Sequence, residues 1–503
     1  MILRIAIKKN KQTLVRIDSF TIRDNHINFL FGESGIGKTM MARATFGLLE
    51  SDEFDIQIND ESYSTYQSND LYQAIRTHGF FVFQEPSSHL NPLLTLRDQI
   101  REGSLAHAVS EQEIIEHLWP EENHRNLNRI IDIYPQPFRP SGGEKQRILM
   151  TMAFKKIDLY LQRSDSPLTL FIFDEPTGNL DNTHRNVFLQ YLIEKYRQRN
   201  FTILFITHDY SISAELVDKY PDLMERICFT DLLLTAGGLK QEIFSAQRYL
   251  DWSKHIKPIS SLPDRAALPL LKVENPITIF DRDLIISKDA QGKNLAALEV
   301  YPGEMVYLKA GSGVGKTTLA KGVMGLLQTR QLQLRIDGLT FSEKTDLARW
   351  RREIWGRKAT MVFQHADEAL NLNARVKDVF SGLPSGVKRN EQYLLQQLQW
   401  IFNSPIGLDF LNQKVGTLSG GQKQRLNLLR SFILDTDLII LDEPLNGLGF
   451  DSIQKVIELM QEKQENRKGI LLISHNEDIF DRLIPLPSIY YLQTRISKTT
   501  ILI

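Results

Sequence analysis

Gly32–Thr39 reads GESGIGKT, and Ala310–Thr317 reads AGSGVGKT. The pattern G-x-x-x-x-G-K-[ST] closes bare backbone amides around an anion at a helix N-terminus, where the helix dipole favours negative charge. In the first loop the expected phosphate ligands are Gly32, Ser34, Gly35, Gly37, Lys38 and Thr39; in the second they are Gly311, Ser312, Gly313, Gly315, Lys316 and Thr317. Lys38 and Lys316 would reach the β- and γ-phosphates, and the hydroxyls of Thr39 and Thr317 would hold Mg²⁺. Ala310 stands where the pattern begins with glycine, which tightens the turn but removes no ligand.

Four further blocks recur in the same order. Val82-Phe83-Gln84 returns as Val362-Phe363-Gln364, and SGGEKQR from Ser141 returns as SGGQKQR from Ser419. FIFDEP ending at Pro176 returns as IILDEP ending at Pro444, and FITHD around His208 returns as LISHN around His475. The offset is 278 positions both between Lys38 and Lys316 and between Ser141 and Ser419, a register that chance does not hold. The chain is a tandem repeat. From serine to DEP aspartate the first half runs 33 positions and the second 23, and the surplus falls near KKIDLYLQRSDSP, at a longer helix end and loop. Pro258, Pro263 and Pro269 break regular structure between the halves, which predicts domains at 1–250 and 270–503 with a linker at 251–269.

The runs LTLFIF (168–173) and DLIIL (437–441) are short and almost wholly apolar, as are NFTILFIT and GILLIS. Such runs suit strands buried on both faces of a parallel sheet, so each half is expected to be an α/β domain with helices over a mainly parallel sheet. Asp174 and Asp442 end two of these strands, where a carboxylate emerges beside the phosphate loop and can order Mg²⁺. Glu175 and Glu443 follow directly, placed to orient and polarise an attacking water.

Bulk composition agrees with a multidomain globular chain. Of 503 residues, 42% are apolar and 24% charged, so disorder is not the default. A net charge of −1 supplies no global attraction to nucleic acid or anionic lipid. Cys228 is the single cysteine, which excludes an internal disulfide or a multi-cysteine metal site and leaves a small core filler as its expected role. The opening MILRIAIKKNKQ lacks signal-peptide features, and no stretch approaches the ~18 apolar residues of a membrane span.

The combination of SGGQ, D-E-P after an apolar strand, a following histidine and an intervening glutamine resembles the ABC ATPases along nearly the whole chain. That resemblance implies two tandem P-loop NTPase domains, each a RecA-like core with a helical subdomain, and ATP with Mg²⁺ as ligands. It further implies that Gln84 and Gln364 contact Mg²⁺ and sense a transport partner, and that His208 and His475 contact the γ-phosphate. By the same analogy, Ser141, Gly142 and Gly143, and Ser419, Gly420, Gly421 and Gln422, cap ATP held by the opposite domain. The sequence departs from the family at Pro140 and Glu144, where leucine and an amide are usual, and at Gly449, where the first half has Asp181. The two sites are therefore expected to be unequal, both hydrolysing but at different rates. Residues 5–15 contain no aromatic to stack on adenine, and Phe280 lies too far upstream of the second loop, so that contact stays unassigned.

FQEPSSHLNPLLTLRDQI (83–100) resembles the peptide/nickel importer branch, which carries Q-[DE]-P-x-x-x-L-N-P-x-x-T there. QHADEALNLNARV in the second half is a worn copy, with Asn373 followed by alanine, and YPQPFRPSGGEKQR resembles the same branch. The branch implies two transmembrane permease subunits and a substrate-binding protein as partners, no direct nucleic acid, and a cytoplasmic position on the inner face of the cell membrane. Fusing both cassettes in one chain raises their effective concentration for each other. Many members extend past the second domain with a cysteine-bearing tail; here 28 residues follow His475, without cysteine. Two alternatives stand beside this reading. A ribosome-acting ABC protein would carry a long charged helical linker, and an export ATPase would not be expected to carry the L-N-P segment.

Overall fold

The structure, a computed structural model, describes residues 1–91, 93–101, 111–119, 142–165, 167–178, 180, 182–235, 237–259, 263–279, 282–311, 314–383, 390–402 and 406–496. Two compact units emerge, Met1–Asp251 and Trp252–Ile503. The helix Ala246–His255 runs through position 251, and the first strand of the second unit is Leu271–Val273.

In the first unit a parallel core is ordered Ile227–Thr235, Ile27–Gly32, Ile203–Ile206, Phe171–Asp174 and Phe80–Val82. Its central strands Ile27–Gly32, Phe171–Asp174 and Ile203–Ile206 are buried at every residue, which is why their sequences are unbroken apolar runs rather than alternating ones. The second unit repeats the order as Ile489–Ile496, Met305–Lys309, Gly469–Ile473, Leu438–Asp442 and Ala359–Val362. In both units the glycine loop and the D-E-P turn leave the carboxyl ends of two core strands with one strand between them, Ile203–Ile206 in the first unit and Gly469–Ile473 in the second, the place where open α/β sheets bind ligands.

The sheets are more mixed than a mainly parallel reading predicts. Antiparallel strands flank the first core, beginning with the hairpin Ile2–Lys9/Gln12–Thr21. Its two-residue turn, Asn10 and Lys11, takes left-handed φ values of 51° and 65°, the twist that lets adjacent strands pair without splaying. In the second unit the strands Leu298–Val300, Leu271–Val273, Gln333–Ile336 and Leu339–Ser342 form a separate antiparallel sheet. The helix Gly142–Leu161 has 20 residues against 14 in Gly420–Ile433, so part of the surplus of the first half lies at its C-terminal end and the remainder in the segment that follows. Cys228 is only half-buried on the strand Ile227–Thr235, rather than filling the core.

Candidate functional site

The first glycine loop is built around two backbone demands. Gly37 has φ 116°, closed to ordinary side chains, and a Cβ there would sit 2.8 Å from Val15 Cγ2. The helix Lys38–Phe46 starts immediately after it, so its first amides face the loop. Lys38 folds over the loop, donating to the carbonyls of Gly32 at 2.5 Å and Glu33 at 2.9 Å. Burial pulls the Lys38 ammonium below its usual pKa, and Glu175 and Asp174 oppose that pull. Lys316 repeats the contact, donating to Ala310 O at 2.6 Å and Gly311 O at 3.3 Å. Gly315 has φ 107° at the same point; Ser312 and Gly313 lie outside the described residues.

Thr39 Oγ1 donates to Asp174 Oδ1 at 3.0 Å, which ties the loop to the end of the strand Phe171–Asp174. Asp174 Oδ2 is buried with no hydrogen-bond partner. Burial, reinforced by the adjacent Glu175, pushes the Asp174 carboxyl up to about 6. A carboxylate this uncomfortable wants a cation or donor, and a divalent metal fits beside a threonine hydroxyl and an oxygen-rich mouth. Asp442 is likewise buried, with both oxygens lacking hydrogen-bond partners, and burial raises its pKa while nearby Thr317 opposes the rise. Gln364 Oε1 accepts from Thr317 at 3.5 Å, whereas Gln84 stands exposed. The donor sets Thr39, Asp174 and Thr317, Asp442, Gln364 are all hard oxygen atoms, which suits Mg²⁺.

Glu175 and Glu443 share a strained backbone. Their φ values are 47° and 49°, and each N–H extends the sheet by one bond, to Ile206 O and Ile473 O. Left-handed φ at a non-glycine residue turns the side chain off the strand line and towards the histidine segment. The two carboxylates then meet different partners. Glu175 Oε2 lies 2.7 Å from His208 Nδ1. Burial alone would raise Glu175, but the charge and hydrogen bond of His208 outweigh it and hold the carboxyl below its usual range. His208 is raised in return: burial would lower it, and Glu175 wins. Glu443 Oε2 instead accepts from Ser474 Oγ at 3.2 Å and His475 N at 3.1 Å, while His475 Nε2 lies 3.4 Å from Oε1 and 3.3 Å from Lys316 Nζ. Burial pushes Glu443 up to about 7, with Lys316 opposing.

The second signature segment forms a capping box. Ser419 Oγ accepts from Gln422 N at 3.2 Å and Gln422 Oε1 accepts from Ser419 N at 2.9 Å, opening the helix Gly420–Ile433 with Gly421 buried in its first turn. In the first half Gly142, Gly143 and Glu144 open the helix Gly142–Leu161, while Pro140 and Ser141 lie outside the described residues, as does Asp181. Among the described residues the loop, the D-E-P turn and the histidine thus come together in each unit, with Gln364 joining them in the second, whereas Gln84 is exposed and the signature residues open helices of their own. A separate cleft of about 710 Å³, lined among others by Arg23, Cys228, Gln241 and Phe244, contains none of them. Sequence reading missed Arg185, a buried cation behind His208 whose only signal was its place on the helix after the D-E-P turn.

Paired phosphate loops, each beside a strand-end Asp-Glu and a histidine, define a tandem nucleotide-binding P-loop ATPase. A family model described as "ABC transporter" matches residues 15–178 and 294–446, the greater part of the chain, and the chain belongs to that family. Among its relatives is the glutathione import ATP-binding protein GsiA of Pectobacterium atrosepticum, 25% identical over 532 aligned residues covering 95% of this chain and 82% of the relative. The uncharacterized ABC transporter ATP-binding protein YejF of Escherichia coli is 28% identical, with 92% and 88% covered. The complex of an archaeal ribosomal stalk protein with the archaeal ribosome recycling factor aABCE1 superposes with a TM-score of 0.59 at 14% identity, over 95% of this chain and 87% of that one. That likeness is one of fold alone. The chain is an ATP-binding ATPase.

Proposed function

We propose that this ATPase powers an importer for peptide-sized or other small solutes, nickel complexes included. It would act through two separate permease subunits and a substrate-binding protein, and would sit in the cytoplasm on the inner face of the membrane. Among the described residues no helix is long and apolar enough to cross a bilayer, so membrane contact would come through those partners. The observation that carries the reading is FQEPSSHLNPLLT from Phe83, together with similarity over 95% of this chain to a protein named for glutathione import. Glutathione, a tripeptide, is therefore the first solute to test.

In each half (1–250 and 270–503, joined by 251–269) the loop lysine would bind the β- and γ-phosphates. Thr39, Asp174 and Gln84, and Thr317, Asp442 and Gln364, would hold Mg²⁺. When bound, the ion neutralises charge developing on the phosphates. Glu175 and Glu443 orient the attacking water, and His208 and His475 contact the γ-phosphate. Ser141–Gly143 and Ser419–Gln422 supply further nucleotide contacts. Proteoliposomes holding the two permeases and this chain, supplied with the substrate-binding protein, should take up labelled glutathione with ATP, and lose uptake with Lys38→Ala plus Lys316→Ala. Sedimentation of the chain with ribosomes, without stimulation of its ATPase by permeases, would overturn the importer reading.

A further inference from the structure

The two histidine arms are anchored differently, and one buried arginine makes the difference. Arg185, 5% exposed, lies on the helix Asn182–Gln198 that follows the D-E-P turn. Its Nη1 donates to Asp209 Oδ2 at 2.7 Å and to Ser211 Oγ at 2.9 Å, and its Nη2 to Glu215 Oε2 at 2.8 Å. Asp209 is the residue after His208. Its Oδ1 accepts from Ser211 Oγ at 2.6 Å and Ser211 N at 3.1 Å, and its own N–H donates to Thr207 Oγ1 at 3.0 Å. Asp209 is thus held at its amide and at both carboxylate oxygens, which fixes the backbone from which the His208 ring projects.

The matching positions in the second half are Ile453, eleven residues after Asp442 as Arg185 is after Asp174, and Asn476, directly after His475. The cation and the anion are both replaced by neutral residues. There the ring turns its other nitrogen, Nε2, to the glutamate, at 3.4 Å, where His208 offers Nδ1 at 2.7 Å. We propose that Arg185 is a positioning residue that locks His208 onto Glu175 through Asp209, a device the second catalytic arm lacks. This inference rests on the ATPase site proposed above.

The test transplants the second half's solution into the first. Arg185→Ile with Asp209→Asn removes both charges together, so no buried carboxylate loses its partner at that pair, and Glu215 keeps Lys219 at 2.8 Å. In a Glu443→Gln background, where turnover reads the first half, the double variant should lower kcat roughly 10-fold or more with KM for ATP within about two-fold, as a misplaced reactive group does. Arg185→Lys, which keeps the charge, should recover kcat to within about three-fold. Independently of turnover, ¹⁵N-histidine spectra of nucleotide-free protein should show the His208 ring signals, assigned by their loss in His208→Gln, shifting in the double variant and little in Arg185→Lys. Unmoved ring signals, or a rise in KM at constant kcat, would overturn the inference. Turnover surviving Glu175→Gln plus Glu443→Gln would instead overturn the site assignment, and the ring signals would still decide the positioning role.

Discussion

Replacing Glu443 by glutamine should stabilise the metal-free, nucleotide-free protein, and the gain should depend on pH in a direction opposite to the ordinary carboxylate. Glu443 is 2% exposed, and burial pushes its carboxyl from an ordinary 4.5 to about 7. Between those values the native state binds a proton that the unfolded chain has released, so stability falls as pH rises through that window. The difference of about 2.5 units corresponds to about 3 kcal/mol, fully expressed above pH ~7 and absent below pH ~4.5. Glutamine keeps an acceptor for Ser474 Oγ and His475 N without carrying the charge. Native-state hydrogen exchange in chelator, read on the strand Leu438–Asp442, should therefore show protection rising by up to roughly 100-fold at about pH 8 and hardly at all at about pH 5. Glu175→Gln should do the reverse on Phe171–Asp174 at neutral pH, losing about 1–3 kcal/mol, because Glu175 is charged and bonded to His208 at 2.7 Å. A Glu443→Gln protein that is no more protected at the higher pH, or equally more protected at both, would refute this account of the pocket.

Other positions give simpler outcomes. Gly37→Ala forces a Cβ to within 2.8 Å of Val15 Cγ2 at φ 116°, so fluorescent-nucleotide titration should show at least roughly 10-fold weaker binding to the first half. Gly79→Ala has an ordinary extended φ but would put its Cβ against the backbone of Leu170, and urea unfolding should register a loss of about 1–3 kcal/mol. Lys288 donates to Pro487 O and sits 3.2 Å from the Tyr490 ring centroid, and burial lowers it to about 8. The unfolded chain then holds more protons between pH ~8 and ~10.5, so wild-type stability gains a rising component across that window that Lys288→Met should abolish in melts at several pH values.

The parts legible in the sequence are those that backbone and burial dictate. Apolar runs such as FIFD and LIILD suit strands closed on both faces, and the G-x-x-x-x-G-K-T spacing announces the phosphate loop whose Gly37 takes φ 116°. What stayed hidden depends on side-chain partners that the repeats do not share. The turn at Asn10-Lys11 carries no glycine to announce it, so the antiparallel flank was missed. Gln84 and Gln364 read alike, yet one is exposed and the other reaches Thr317. Arg185 has no motif of its own; it matters only because the fold packs its helix against the residue after His208.

Duplication makes the divergence interpretable. Glu175 and Glu443 share φ within 2°, the same extra sheet bond and near-complete burial, so the backbone cannot explain why one carboxyl is held low and the other raised. Burial acts on both, and the sign is decided by what stands opposite: a histidine ring bonded at 2.7 Å outweighs it in one half, whereas a serine hydroxyl, a backbone amide, a histidine ring at 3.4 Å and the charge of Lys316 do not outweigh it in the other. Neutral donors stabilise a buried charge less than a directly bonded opposite charge does, and Lys316 offsets only part of the desolvation of Glu443. The strained turn is thus the shared scaffold, and the histidine segment is where the halves acquired separate electrostatics. It follows that exchanging Thr207–Asp209 with Ser474–Asn476, together with Arg185 and Ile453, should carry the low and the raised carboxyl with the exchanged residues, whereas exchanging the D-E-P turns should leave each pocket as it was.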